Sequence, residues 1–206
     1  MKPLLFLLLL GGAALAQPVS FGLKAGVPWT DSLNTVQGDT AAATGRYLFG
    51  PEVEVQLPLG LSVECNALYR HFSYTNVEAF AGNTITTIGS SGNWEFPMVA
   101  KYRFSAKVVR PYLEAGVAWD ALSGLQNTSS ATPCSIVCEN TNYPPTPSSQ
   151  TTAGVVLGGG VDIHAFVIHV APEFRFTRWA KQYFNLSGDL HSGHNQVEFL
   201  VGFTFR

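Results

Sequence analysis

The stretch HNQVEFLVGFTFR, residues 194–206, decides the fold. From Val197 to Phe205 every second residue is valine or phenylalanine, and polar residues such as Gln196 and Glu198 fall on the other phase. This two-residue period predicts a β-strand with one apolar face and one mostly polar face. A terminal strand exposes an edge that other strands must cover. The rest of the chain must therefore supply those strands.

Seven upstream segments repeat the alternation. The predicted strands are residues 19–29, 46–57, 61–74, 93–104, 108–122, 151–164 and 166–178, and the terminal strand is the eighth. Their connections alternate in length, with long polar loops at 30–45, 75–92, 123–150 and 179–193. All long loops therefore lie at one end, which predicts an all-β, eight-stranded antiparallel up-and-down transmembrane β-barrel with long extracellular loops.

Composition favours the same class. Only 13% of residues are charged and 46% are hydrophobic, yet no segment after residue 16 is apolar over the ~20 residues that a membrane helix needs. Membrane barrels spread their apolar residues along strands, one position in two. The net charge of −2 predicts no nucleic-acid partner.

The first 16 residues resemble a targeting segment. Lys2 precedes the apolar run at residues 4–10, and Ala14-Leu15-Ala16 forms an A-x-A cleavage signal. We expect residues 1–16 to be a cleaved signal peptide for secretion through the inner membrane, and residues 17–206 to be the barrel domain. The expected location is the bacterial outer membrane.

The residues on the two faces of the predicted strands indicate which face contacts lipid and which face lines the barrel interior. Aromatic residues cluster at both ends of the apolar face, which predicts two lipid-facing girdles: Tyr47, Phe49, Tyr69, Trp94 and Trp119 toward the long loops, and Tyr102, Phe104, Phe166, Phe203 and Phe205 toward the short turns. The opposite face carries charges of both signs. An eight-stranded barrel is narrow enough for side chains to fill. We therefore expect an interior ionic network of Glu52, Glu54, Glu64, Arg70, Glu95, Lys101, Arg103, Arg110, Glu114, Asp120, Glu173, Arg175 and Glu198.

Four prolines complicate the strands, because proline cannot donate to a ladder. They are Pro51, Pro97, Pro111 and Pro172. Pro97 is nearest the middle of its strand and leaves the register there open.

The cysteines suggest one disulfide. Cys134 and Cys138 lie close together in a Ser/Thr/Pro-rich loop of a chain expected to be secreted, so we predict a bridge between them. Two free thiols or a weak metal site are the alternatives. Cys65 lies within a strand and is expected to act as a small hydrophobic residue.

On these features the chain resembles the outer-membrane protein β-barrel family, the eight-stranded type with OmpA-like, OmpX-like and OmpW-like barrels. The resemblance spans residues 17–206. The ending VEFLVGFTF, residues 197–205, resembles the sorting signal that the barrel-assembly machinery reads, which implies that machinery as a partner. Arg206 departs from the family's usual aromatic last residue. The resemblance implies a monomer in contact with outer-membrane lipid, without cofactor.

One pair of residues has the spacing of a catalytic site. His71-Phe72-Ser73 resembles the H-x-S spacing of lipid A deacylases, with Glu78 nearby, and His71 and Ser73 would share a strand face. The wider motif of that family is missing. We therefore predict rim residues and no enzyme, with an outer-membrane lipid hydrolase as a minor alternative.

Other residues have the composition of metal or phosphate sites. Asp189, His191 and His194 cluster in the last loop, where a solvated loop is favoured over a metal site. His164 and His169 flank a short turn and are predicted to be rim residues without a ligand. The run at residues 158–160, GGG, lacks the lysine and helix of a phosphate loop and predicts a bend or close packing.

The predicted function is therefore a non-catalytic structural or surface-interaction role in the outer membrane. The alternatives are a narrow channel for small or hydrophobic molecules and a soluble lipocalin-like binder. The lumen discriminates the first two: charged residues that meet across its centre close the pore, whereas a passage along Gly22, Gly26, Gly116 and Gly158 would open it.

Overall fold

The fold is a closed antiparallel barrel of eight strands. The computed structural model describes residues 19–30, 33–35, 41–80, 83–106, 108–132, 151–165, 168–181, 185–186, 190–192 and 194–205. The signal-peptide prediction for residues 1–16 falls outside these residues. Within the described part of the chain, no helix is both long and apolar enough to cross a membrane.

Twelve strands are formed in the described residues. They are β1 (Val19–Pro28), β2 (Leu33–Thr35), β3 (Ala41–Gln56), β4 (Leu61–Asn66), β5 (Leu68–Phe80), β6 (Asn83–Arg103), β7 (Val109–Thr132), β8 (Thr151–Ala165), β9 (Ile168–Trp179), β10 (Asn185–Leu186), β11 (Leu190–Ser192) and β12 (Asn195–Phe205). The main sheet runs β1-β12-β9-β8-β7-β6-β4-β3, and pairing of β1 with β3 closes it. We call each of the eight strand positions in the barrel wall a stave. Strands β4 and β5, which both lie between β3 and β6, together form one stave.

The terminal strand β12 takes the two partners that closure of the barrel requires. Phe205 pairs with Phe21 of β1 on one side and with Ile168 of β9 on the other. Both edges of β12 are therefore hydrogen-bonded. The edge that the sequence left open is covered by β1, and the other edge is covered by β9, which confirms the predicted up-and-down topology.

Polar side chains face the lumen and apolar side chains face outward. Along β6, Trp94, Phe96 and Tyr102 are exposed on the outer face, whereas Glu95 and Lys101 are buried. A soluble lipocalin-like binder requires the opposite arrangement, with the apolar face inward. The outer surface is the one that an apolar solvent would cover.

The predicted long loops are wrong over much of their described length, because the strands continue into them. β5 runs to Phe80 and β6 begins at Asn83, so most of the predicted loop 75–92 is a β-hairpin. β7 likewise extends to Thr132 and pairs with Thr84 of β6. The Ser- and Thr-rich composition favours a loop, but β-branched threonine and isoleucine also suit paired strands.

The other two predicted loops also contain strands. Residues 30–45 include β2 and the start of β3, and residues 179–193 include β10 and β11. Strands β10, β11 and β2 form a separate three-stranded sheet. This sheet, together with the extensions of β5, β6 and β7, builds the loop end of the barrel.

The predicted strand 61–74 is interrupted at Ala67. There the backbone N–H of Ala67 donates to the carbonyl oxygen of Pro51 at 3.1 Å. A Cβ atom on Gly50 would lie 1.7 Å from the carbonyl oxygen of Ala67. The two chains approach so closely here that only glycine fits.

The prolines cause no register change at their own positions. Pro97 is buried and pairs with Ala118 in an unbroken register. The shifts lie elsewhere, between Thr44 and Leu48 in β3 and between Ser90 and Gly92 in β6. The register of this strand, left open by the sequence, is thus regular through Pro97.

The close approach at Gly50 makes a stability prediction. Gly50→Ala should lower the free energy of unfolding by about 1–3 kcal/mol, because the new methyl group overlaps backbone atoms that cannot move aside. Urea titration of the folded chain in detergent micelles measures this. Gly159→Ala is the matched control, since its Cβ would meet its nearest atoms at 3.1 and 3.2 Å. Equal losses of unfolding free energy in the two variants would contradict the close approach of the two strands at Gly50.

Candidate functional site: the ionic lumen

The lumen is lined by charged side chains that alternate with the outward apolar residues. On each strand every second side chain points inward. Charged residues that are far apart in the sequence therefore meet at the barrel axis. We define the central cluster as Lys24, Glu52, Glu64, Lys101, Glu114, Glu173 and Arg175. Six staves supply these seven side chains, each of which is at most 4% exposed.

Two lysines share two carboxylates at the middle of this cluster. Nζ of Lys24 lies 2.5 Å from Oε1 of Glu64 and 2.9 Å from Oε1 of Glu173. Nζ of Lys101 lies 2.6 Å from Oε2 of Glu64 and 3.1 Å from Oε2 of Glu173. Each carboxylate therefore bridges both ammonium groups, one oxygen to each.

Arg175 extends the cluster toward β7. Its Nη2 lies 2.8 Å from Oε1 of Glu173, and its Nε lies 3.0 Å from Oε1 of Glu114. The hydroxyl of Tyr112 donates to Oε2 of Glu173 at 2.6 Å, and Nζ of Lys101 lies 4.5 Å from the centre of the Tyr112 ring. These contacts replace the water that the buried charges have lost.

Lys24 lies on the polar phase of its strand but is absent from the predicted interior network. Three of its neighbours are Glu52, Glu64 and Glu173, at 3.3, 2.5 and 2.9 Å. Tyr112 is absent from the predicted network as well. The inward phase of β1 and β7 is the signal that could have found both, but alternation alone names no partner for either side chain.

Glycines on the two remaining staves make room for the long charged side chains. A Cβ on Gly158 of β8 would lie 2.5 Å from Oε1 of Glu114. A Cβ on Gly202 of β12 would lie 3.0 Å from Oε2 of Glu52 and 3.3 Å from Cε of Lys24. A Cβ on Gly160 would lie 2.8 Å from Cβ of Glu173, so two glycines of the run in β8 are explained by packing against the central cluster.

A second group of charges lies at the short-turn end, where residues 57–60 and 104–106 connect strands. Arg103 donates to Glu54 at 2.7 Å and to Asp162 at 3.0 Å. Its Nη1 donates to Oγ of Ser62 at 2.6 Å. Nδ1 of His169 lies 3.2 Å from Oδ1 of Asp162. Neither Asp162 nor His169 was in the predicted network.

A third group lies toward the loop end. Arg70 lies 3.7 Å from both Asp120 and Glu198. The amide nitrogen of Gln196 donates to Glu95 at 3.0 Å and also to Glu198. Nε1 of Trp179 donates to Oε1 of Gln196 at 3.0 Å. Glu95 is thus held by an amide, and the contacts of Arg70 are longer than those of the central cluster.

Apolar side chains fill part of the lumen as well. Leu48, Leu68 and Leu200 form one buried cluster. Val99, Ala118, Val156 and Trp179 form another. Along β6 the inward positions run from Glu95 through Pro97 and Val99 to Lys101, so apolar residues separate the loop-end charges from the central cluster on that stave.

Arg110 does not lie where the sequence placed it. It is half-exposed at the start of β7, and its Nε donates to the carbonyl oxygen of Ala106 at 3.1 Å. This position is beside the short turn and outside the ionic groups described above. The alternation alone could not show that a strand's first inward residue lies at the mouth of the barrel.

The aromatic residues predicted for the loop-side girdle form a row on the outer face. Rings of Tyr47 and Phe49 have centroids 6.4 Å apart, Phe49 and Tyr69 are 6.2 Å apart, and Tyr69 and Trp94 are 5.2 Å apart. Trp119 is exposed on the same face. The row crosses neighbouring strands.

On the short-turn side, the outer face carries exposed aromatic residues as well. Tyr102 and Phe104 contact edge to face at 5.1 Å, and Phe203 and Phe205 are exposed. Phe166 lies outside the described residues.

The catalytic candidates, and the metal candidates of the last loop, are described only in part. His71 is exposed and Ser73 is half-buried, and the side chain of Glu78 is not described. His194 contacts the carbonyl oxygen of Trp179 at 3.1 Å, whereas Asp189 lies outside the described residues. Cys134, Cys138 and Arg206 also lie outside them. Cys65 is a free, exposed thiol on the outer face.

Comparison with solved structures finds the same architecture. The chain is similar to the outer membrane protein OprG of Pseudomonas aeruginosa, with a TM-score of 0.56 at 11% identity, over 91% of this chain and 93% of that one. This likeness shows the fold alone.

Two other barrels match at lower scores. Ail, the attachment invasion locus protein of Yersinia pestis, matches at a TM-score of 0.44 and 8% identity, over 91% of this chain and 96% of that one. The N-terminal β-barrel domain of Pseudomonas aeruginosa OprF matches at a TM-score of 0.38 and 13% identity, over 92% of this chain and 99% of that one.

Sequence comparison gives the family. No curated protein matches the chain. A family model for the outer membrane protein beta-barrel domain matches residues 3–203, which is nearly the whole chain. With its closed barrel, polar lumen and apolar outer face, the chain belongs to the outer membrane protein beta-barrel domain family.

Proposed function

We propose that this protein is a non-catalytic, non-conducting barrel of the bacterial outer membrane that acts as a structural or surface-interaction protein. The observation that carries the proposal is the central cluster, in which Lys24, Lys101 and Arg175 contact Glu64 and Glu173 across the lumen. A barrel with such a filled lumen holds the segments at its two ends in fixed positions.

The charge contacts span the lumen in more than one direction. Lys24 on β1 reaches Glu64 on β4 and Glu173 on β9, and Lys101 on β6 reaches the same two carboxylates. An ion passing along the axis would have to separate these pairs. Breaking buried pairs is costly, because each freed charge has no water to replace its partner.

The glycines that would line a passage are instead packed. A Cβ on Gly22 would lie 2.8 Å from a methyl carbon of Thr204 and 3.0 Å from Oε1 of Glu52. At Gly116 it would lie 2.1 Å from the carbonyl oxygen of Met98. This packing does not favour the narrow-channel alternative.

The loop end offers the surface for interaction. The extension of β6 pairs with β5 as far as Phe80 and with β7 as far as Thr132. A three-stranded ribbon therefore continues beyond the lumen, with exposed Thr84, Ile88 and Thr128 among its described side chains. A paired ribbon holds a contact surface in place better than an irregular loop does.

The remaining partners follow from the outer face and the last strand. Membrane lipid is the proposed solvent of the aromatic rows, and the barrel-assembly machinery is the proposed reader of β12, with the folded protein a monomer. The Ser73 and His71 pair is not proposed as catalytic, because a nucleophile needs a base and an orienting group in contact.

Conductance tests the proposal directly. Wild-type protein reconstituted in planar lipid bilayers should give no steady conductance, while a general porin measured in parallel does. The double variant Arg175→Ser with Glu114→Ser removes a cation and a carboxylate together and should introduce conductance if it folds, as judged by heat-modifiable migration in gels. Stepwise currents from the wild-type protein would overturn the proposal in favour of a channel.

Removing one charge of the central cluster should destabilise the barrel. Lys101→Met leaves Glu64 and Glu173 short of a partner, so the free energy of unfolding should fall by about 3–5 kcal/mol. The control is Lys181→Met, the same substitution at an exposed position, with an expected effect within about 0.5 kcal/mol. Urea titration in lipid vesicles measures both. Equal free energies of unfolding in the two variants would show that the cluster does not hold the staves together.

A further inference from the structure

The hairpin between β8 and β9 brings three possible metal ligands together at the short-turn end. His164 and His169 are directly opposed in the ladder, and Asp162 precedes His164 by two residues on the same face. One ligand atom from each of the three lies within 4.8 Å of the others. Cross-strand neighbours of this kind have side chains in contact.

We propose that Asp162, His164 and His169 bind a divalent transition-metal ion such as Zn²⁺ at the short-turn mouth of the lumen. Imidazole nitrogens with one carboxylate suit zinc, copper or nickel, whereas calcium and magnesium prefer all-oxygen sites. Three protein ligands leave further positions for water, which is the pattern of an open site rather than a closed structural one.

The geometry is close to what an ion requires. Two donor atoms each about 2.1 Å from one tetrahedral ion lie about 3.4 Å apart. Nδ1 of His169 and Oδ1 of Asp162 already meet this separation, and the other pairs, which lie within 4.8 Å, must close by up to about 1.4 Å. The rings of His164 and His169 stand with centroids 4.0 Å apart at an interplanar angle of 65°. Rotation of the His164 ring is the movement that would bring its nitrogen closer.

The contact between Asp162 and His169 already brings two donor atoms together. Nδ1 of His169 lies 3.2 Å from Oδ1 of Asp162. An ionised carboxylate only accepts hydrogen bonds, so in the metal-free protein the proton of this contact belongs to Nδ1. A bound ion would take the place of that proton and coordinate both atoms, because metal ligands must be deprotonated.

The surroundings distinguish this site from the other carboxylate group in the lumen. Glu64, Glu114 and Glu173 are equally close to one another, but Lys24, Lys101 and Arg175 already occupy the space between them. At the mouth, Arg103 engages Oδ2 of Asp162, whereas Oδ1 faces His169. His164 is only half-buried, so an ion can arrive from the solvent at that end.

Calorimetric titration with Zn²⁺ tests the site in the full-length folded protein in detergent, purified without a histidine tag. One ion should bind per chain, and His164→Ala and His169→Ala should each weaken binding at least tenfold. Asp162→Asn removes the carboxylate ligand and should likewise weaken it at least tenfold. Variants His71→Ala and His194→Ala, at histidines outside the cluster, should bind as the wild type does.

A second measurement covers variants that fold poorly. Zn²⁺ should raise the unfolding temperature of the wild type and of His71→Ala, because a ligand of the native state stabilises it, and should leave His164→Ala unchanged. The absorption of bound Co²⁺ gives the donor set independently. Absence of Zn²⁺ binding to the wild type, or an equal loss in His71→Ala, would overturn the proposal.

Discussion

The contact of three cations with four carboxylates inside a closed ring of strands is the constraint on which the structure depends. Each of these charges is removed from water, and burial of an unpaired charge costs several kcal/mol. The charges must therefore be satisfied by one another. Because six staves supply them, the pairing is correct only when all six are in register. The central cluster thus couples barrel closure to the position of every contributing strand.

The same constraint explains where glycine occurs. Long side chains such as Glu114 and Lys24 need volume, and a barrel of eight strands has little to spare. β8 and β12 carry glycine at positions 158 and 202, so no side chain of the barrel wall occupies the space that Glu114 and Lys24 fill. A glycine run that resembles a flexible segment in the sequence is therefore part of a densely packed wall. Its function is steric, since none of these positions needs an unusual backbone conformation.

The alternation of residues was enough to predict the strands and their facing, because a two-residue period defines both at once. It could not assign partners. Lys24 contacts residues 40 and 149 positions away, and only the closed barrel brings them together. The interruption at Ala67 was equally hidden, since it arises from the approach of Gly50 on another strand. Composition misled most at the loop end, where threonine-rich segments form paired strands.

The outer face and the lumen carry different kinds of information. On the outer face one apolar residue can replace another without changing the facing of the strand, and OprG shares this fold at 11% identity. Side chains inside must fit and pair with particular neighbours, as Lys24 does with Glu64 and Glu173. Function in such a fold follows from the contents of the lumen and its two ends rather than from the barrel itself. Here the ends differ in chemistry, with a polar ribbon beyond Arg70 and a histidine pair beside Arg103. Under the proposed function the central cluster closes the lumen between the two ends, so each end acts without an open path to the other.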